Sequence, residues 1–357
     1  MSLPTALAGI LLGAVPGVHQ NLLSLLPLAG SRDLFETVFA AIFSSIIPTL
    51  LMAPSPETVA VLLPGQKMAG QGRIGEAVSE FLGGAVLGSA MFIIMLPLYE
   101  HLLAIPRIFS RFFWLPLTGF AMVPIVRNRK KWKASLGFFL LSGAYGWLML
   151  KLPYTSESLL MAHFGGMFGL SSLLTSGRLA KQKVGRPEPV FKFASSFVGL
   201  AGGMLISLFP ALTPAQASAF VFALLGRPEN QLAAAGAMST SAFLFCFLSL
   251  KFLAKPRSIA VQRIGNLHLD SVIFVAGFAY ATIMWLVPAI CRVLSRWDLR
   301  KPMAVLLILL IGIFSKSAGW IALPSLALGV WCHRKGVEKV NLMGSLMLPT
   351  IAWYLMH

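Results

Sequence analysis

The chain is a succession of apolar runs, each near the roughly 20 residues that a helix needs to cross a bilayer. Between polar breaks they fall at about 3–29, 34–53, 76–103, 107–126, 134–150 and 157–177, and again at about 191–225, 231–254, 270–294, 302–331 and 341–356. In hydrocarbon every unpaired backbone N–H or C=O costs several kcal/mol, so runs of this kind are helical. Hydrophobic residues make up 57% of the 357 and charged ones only 11%, with a mean hydropathy of +0.80. The expected fold class is therefore an all-α polytopic membrane protein of about 10–12 membrane segments. The first run is expected to be a membrane segment rather than a cleavable leader, because "MSLPTALAG" has no charged opening region.

A net charge of +17 raises the question of nucleic acid. The basic residues, however, fall in short clusters between apolar runs: Arg127–Lys133, Gly177–Arg186 and Lys251–Arg263. Such spacing marks cytoplasmic loops under the positive-inside rule, and no single soluble element gathers the charge as a nucleic-acid reader would. Membrane lipids are the expected neighbours of these loops, with no nucleic acid, and the expected location is the cytoplasmic (plasma) membrane. Cys246, Cys291 and Cys332 are far apart and lie in or beside apolar runs, which points to neither a disulfide framework nor a metal site.

The most polar connection, "GRLAKQKVGRPEP" at 177–189, divides the chain into a first half, 1–186, and a second, 187–357. The halves correspond. "LAGILLGAVPGV" aligns with "LAGGMLISLFPAL", placing Pro16 over Pro210, and "LAGSRD" aligns with "LLGRPE". Both then carry a small, hydroxyl-bearing helix, "AAIFSSIIPT" and "AAGAMSTSAF", followed by a basic loop. The ordered succession suggests an internal duplication, a common way to build secondary transporters, whose substrate sites lie at the repeat interface.

Within each half one apolar run is broken by proline and polar residues. Proline removes a backbone hydrogen bond inside a helix and neighbouring glycine loosens it further. Non-helical backbone at membrane depth survives only where protein or a wet cavity surrounds it. Discontinuous or re-entrant helices with tips at "VPGVHQN" and "FPALTPAQ" are expected, and the candidate substrate-binding residues are Pro16, Gly17, His19, Gln20 and Asn21 in the first, and Pro210, Thr213 and Gln216 in the second. Ser239 and Ser241 of the second hydroxyl-bearing helix join them. In "PTLLMAPSPETVAVLLPGQK", Pro48, Pro54, Pro56 and Pro64 exclude one regular helix, and Glu57 with Thr58 lies between apolar flanks, where an ionisable residue is a functional candidate. Glu57 is the leading candidate for ion coupling, with Glu80 second.

These stretches resemble a known family. The Pro16-Gly17 break, "PETVAVLLPG" and the loop "GQGRIGEA" at Gly70–Ala77 occur in the order found in the large membrane subunit of tripartite tricarboxylate transporters, particularly its shorter, divergent branch common in archaea. The resemblance is strongest over 7–80 and weaker over 195–265. It implies a permease that works with a substrate-binding protein and a small membrane subunit. Where larger members have a more glycine-rich first motif, this chain has "VHQN".

No GxxxxGK[ST], HExxH or GxSxG motif occurs, so no enzymatic activity and no bound cofactor are expected. The expected function is a secondary-transporter permease for an organic anion of carboxylate type, coupled to H+ or Na+. The alternatives are a translocase for a lipid phosphate such as a polyprenyl phosphate and, from another class, a membrane-embedded lipid enzyme.

Overall fold

The computed structural model describes residues 2–15, 18, 20–23, 28, 30–50, 62–102, 112–127, 129–177, 180–209, 211–225, 231–253 and 258–356. Helices account for most of them, and among the described residues there is no strand. The chain is an all-α polytopic membrane protein.

The first half contributes α1 (Leu3–Gly13), the short α2 (Gln20–Leu23), α3 (Ser31–Ser44), α4 (Ile46–Leu50), α5 (Leu62–Gly70), α6 (Ile74–Leu102), α7 (Trp114–Arg127) and α8 (Trp132–Met149). It closes with a continuous rod made of α9 (Ser156–Phe164), a π-helical turn (Gly165–Leu170) and α10 (Ser171–Thr175). The second half contributes α11 (Phe193–Leu208), α12 (Pro214–Leu225), α13 (Gln231–Leu253), α14 (Ile259–Ile264), α15 (Leu269–Arg296), α16 (Arg300–Ser315), α17 (Ala322–Arg334) and α18 (Gly344–Met356). A 3-10 turn, Lys316–Ile321, joins α16 to α17, and another, Lys339–Met343, leads into α18.

Six helical stretches among the described residues are long and apolar enough to cross a bilayer: Ser31–Leu50, Ile74–Tyr99, Ser156–Thr175, Gln231–Leu253, Leu269–Arg296 and Arg300–Arg334. Ile94, Ile273, Trp285, Ile308 and Leu323 are each more than half exposed, as lipid-facing side chains are. The run at 191–225 is two helices, and so is the run at 302–331, where α16 and α17 fold back on each other at their 3-10 turn: Leu307 lies beside Gly169 and Gly329 beside Met167 of the same rod. Pro48 sits in the five-residue α4 and Pro64 in the first turn of α5, and Pro54 and Pro56 lie outside the described residues.

The centre of the bundle is α13, buried from Gln231 to Ser249. Lipid tails give no hydrophobic drive for helix pairing, so close contact between small residues supplies the attraction. At Gly236 a Cβ would lie 1.9 Å from the carbonyl oxygen of Phe81, and at Gly84 one would lie 1.9 Å from that of Ala233. Only glycine lets α6 and α13 approach this closely. Tyr99 of α6 then bonds Ser207 of α11 at 2.7 Å and Ser249 of α13 at 3.1 Å, tying three helices together through one phenol.

Contact registers give the direction of each helix. Gly9 meets Thr37 and Gly13 meets Ala41, so α1 and α3 run parallel. Gly199 meets Ala234, and the Ser249 hydroxyl donates to the Ser207 carbonyl, so α11 and α13 also run parallel. The two pairs oppose each other: Phe35 packs at a tilt on Phe247, whereas Phe39 stacks on Phe243.

This polarity sorts the basic clusters. One end of the bundle holds the turn at Gly72, the linker segment 180–190, the end of α15 and the contacts Lys131 to Lys335 and Arg300 to Ser176. The opposite end holds Ser31, the end of α14 and the Arg32–Asp270 ion pair at 2.9 Å. The expectation that Lys251–Arg263 shares a face with Arg127–Lys133 and Gly177–Arg186 is therefore overturned. Lys251 closes α13 and Arg263 lies in α14, both at the opposite end, while Arg292–Lys301 joins the other two clusters.

Candidate functional site

The sequence "GQGRIGEA" builds the junction between the halves. Gly72 turns with φ of +76°, and a Cβ there would stand 2.6 Å from the Lys181 carbonyl, so the linker can cross only over glycine. Lys183 N–H donates to the Gly72 carbonyl at 2.9 Å. Gln182 then acts as a clasp: its amide nitrogen donates to Ala69 at 3.0 Å and its amide oxygen accepts from Ile74 N–H at 3.2 Å. The latter satisfies one of the open donors at the start of α6. Its backbone N–H reaches Ser295 of α15 at 2.9 Å.

Beside this junction lies a cleft of about 400 Å³ lined by Arg73, Glu76, Glu80, Lys183, Arg186 and Glu188 among others. Arg73 holds Glu76 with two bonds, one at 2.9 Å. Glu80, 9% exposed, pairs through Oε1 with Lys192 at 3.0 Å, while its Oε2 is buried with no partner among the described residues. Of the two carboxylates singled out for coupling, Glu80 is thus a half-satisfied buried group, and Glu57 lies outside the described residues with Thr58.

The broken segments are described in part. Pro16, Gly17, His19 and Pro210 lie outside the described residues. Gln20 and Asn21 open α2, which packs on α3 and α14. In the second half, Thr213 caps α12: its backbone N–H donates to the Gln216 amide oxygen at 3.0 Å, and its hydroxyl donates to the same atom. Thr-x-x-Gln here is half of a capping box. Gln216 is 1% exposed, and its amide nitrogen has no partner among the described residues. A buried amide donor left open in this way is ready to receive a polar ligand atom. Ser239 and Ser241 instead bond back onto Ala235 at 2.9 Å and Ala237 at 2.6 Å, and Ser241 packs against Gly203 of α11. The structure unites Thr213 with Gln216, gives Ser241 to the α11–α13 seam and turns Ser239 back onto its own helix.

Three buried polar groups escaped the sequence reading. Glu36 of α3 is fully buried and accepts from Ser2 N–H at 2.9 Å, Thr5 at 2.8 Å and Ser271 at 2.8 Å, fastening α1 and α15 to α3. The charge in "SRDLFET" beside an apolar run was the available sign of it. Tyr99 has the network already described. Lys339, 8% exposed, reaches back from its 3-10 turn to the hydroxyls of Ser171 and Ser172, both at 2.7 Å. By contrast His163 is a packed histidine with both ring nitrogens bonded, to Ser325 at 3.0 Å and Ser345 at 2.9 Å.

The model of the tripartite tricarboxylate transporter TctA family matches residues 1–344. The chain belongs to this family. It is a multi-pass membrane permease of a tripartite tricarboxylate transporter, a class that implies partner subunits including a substrate-binding protein. No curated protein and no solved structure matches the chain. In this TctA-family permease the "GQGRIGEA" loop is the piece that receives the 180–190 linker, over the left-handed turn at Gly72.

Proposed function

We propose that this permease is a secondary transporter moving an organic anion of carboxylate type across the cytoplasmic membrane, driven by H+ or Na+, with a small membrane subunit and a substrate-binding protein as its partners. One observation carries the reading: two parallel helix pairs, α1 with α3 and α11 with α13, run in opposite directions. Oppositely directed repeats of this kind suit alternating access, in which one repeat moves against the other around a site formed by broken helices. Gln216, at the second break, supplies an open donor for an anion. The end holding Arg127–Lys133, Lys181–Arg186 and Arg292–Lys301 faces the cytoplasm.

Coupling to a cation matters because moving one charge against the membrane potential costs about 2.3 kcal/mol per 100 mV. The test is uptake of citrate and succinate by proteoliposomes carrying the permease with its partner subunits. Uptake that collapses when an ionophore abolishes the ion gradient supports the reading. No uptake of any soluble carboxylate, with a polyprenyl phosphate found in the purified protein, would replace it by lipid-phosphate translocation.

A further inference from the structure

Lys339 stands out from the other cations. The turn after α17 carries it back under the bundle, where Nζ donates to Ser171 and Ser172 of α10 and meets no carboxylate within ion-pair distance among the described residues. The Ser171 hydroxyl is committed to the Met167 carbonyl. The Ser172 hydroxyl has no acceptor, and Nζ has no third one, among the described residues. A hydroxyl with an open proton and a buried nitrogen therefore converge at the edge of the π-helical turn, an irregularity often found at functional sites. The adjoining Asn341 is 1% exposed and likewise keeps an amide oxygen without a partner among the described residues.

We propose that Lys339 and Ser172, positioned by Ser171, form a binding site for one carboxylate of the transported acid, and that the site takes up its proton together with that anion. This rests on the organic-anion reading above and deepens it. An unpaired ammonium is costly to bury, so the empty site favours the neutral amine, and burial brings Lys339 down from the usual lysine range to about 7. The charged and titratable groups on the elements packed against the turn are Cys332, His333 and Arg334 of α17, Lys133 of α8 and Arg127 of α7, with Lys335 and Glu338 beside Lys339 in the chain; α12 and α18 carry no charged residue. When a carboxylate arrives, the amine lone pair takes a proton from the solvent-facing side of the turn and the ammonium neutralises the anion. Release of the anion returns the proton. One proton thus accompanies each anion without any other bond changing.

Calorimetric titration of the full-length permease with citrate, succinate and inorganic phosphate tests this. Citrate is fully ionised between pH 7.5 and 8.5, and across that interval its affinity should fall by about eightfold, with close to one proton taken up per anion at the higher pH. Lys339→Met should weaken citrate binding tenfold or more and remove the pH dependence, while thermal stability holds, since a buried charge exchanged for an apolar chain of similar volume is tolerated. Lys339→Arg keeps a charge that does not titrate, so binding that survives in it should show a flat pH profile. Ser172→Ala should weaken binding and leave the slope. Wild-type citrate affinity that is flat with pH, equal binding in Lys339→Met, or phosphate bound in preference to both acids would overturn the site. If the wild type takes up carboxylates in vesicles and Lys339→Met does so equally, only the site fails; if the wild type takes up none, the transport reading fails with it.

Discussion

The pair Glu80–Lys192 offers a quantitative test of how the two halves are joined. Glu80 lies in the second turn of α6, Lys192 directly precedes α11, and the 3.0 Å bridge spans the linker between them. Their side chains are 12% and 26% exposed, so the carboxylate is the more deeply held partner. Removing one member of a buried pair costs about 3–5 kcal/mol because a charge is left uncompensated. Lys192→Met leaves the carboxylate without its bridge while its second oxygen is already unpartnered, and should cost about 3 kcal/mol. Glu80→Gln leaves an ammonium that can turn to water and should cost about 1 kcal/mol. In the Glu80→Gln background, adding Lys192→Met should cost only about 0.5 kcal/mol, giving a coupling of roughly 2.5 kcal/mol. Unfolding of the four proteins in one detergent, followed by far-ultraviolet circular dichroism, measures it. If Lys192→Met costs the same whether position 80 carries glutamate or glutamine, the bridge does not join the halves.

Other outcomes follow from the packing. Gly236→Val should drive α6 and α13 apart and cost about 1–3 kcal/mol or prevent folding, whereas Gly277→Ala on α15, with nothing near its Cβ, should be neutral or stabilising by up to about 1 kcal/mol in the same melts. Gln182→Leu leaves the Ile74 N–H unpaired for about 1–3 kcal/mol and should expose the 177–189 linker to faster proteolytic nicking. Cysteines placed at Lys130 and Lys335 should resist an impermeant thiol reagent on intact cells, and cysteines at Asn266 and Asp270 should react; the three native cysteines are buried and make a quiet background. Labelling of all four positions, or the reverse pattern, would overturn the assigned orientation.

Fold class was legible because hydropathy is a one-dimensional property: a helix in lipid pairs its own backbone, so its run length alone declares it. The linker was legible for the same reason, being the most polar connection. Site chemistry was less so. Thr213 and Gln216 were singled out for the polarity they bring to a proline break, and the structure joins them because a capping pair is local, three residues apart. Ser239 and Ser241 were singled out for their hydroxyls, yet a serine inside a helix can satisfy itself on the carbonyl four residues back, which the sequence does not distinguish from pointing at a ligand. Lys339 was hidden by its neighbours: set among Arg334, Lys335 and Glu338 it reads as an ordinary loop cation. Only the fold brings it under Ser171 and Ser172, which lie 168 and 167 residues earlier in the chain.

The sidedness of the second half differs from the sequence expectation for one identifiable reason. Treating every apolar run as one crossing places Arg127–Lys133, Gly177–Arg186 and Lys251–Arg263 on one face and leaves Arg292–Lys301 on the other. The run at 191–225 breaks that count. Lys192, at its start, reaches Glu80 near the beginning of α6, and Gly236, in the second turn of α13, the next helix, packs on Phe81 of the same helix turn. A run that begins and ends at one end of the bundle contributes no crossing, so the parity of every later loop changes. Lys251–Arg263 then moves to the far face and Arg292–Lys301 returns to the basic one, which is the distribution the positive-inside rule favours. The first run behaves alike: Ser2 and Glu36 meet, so the starts of α1 and α3 share an end. Within each pair the two helices start at one end of the bundle, and this sets which way the pairs face, and with that the opposed arrangement on which the transport proposal rests.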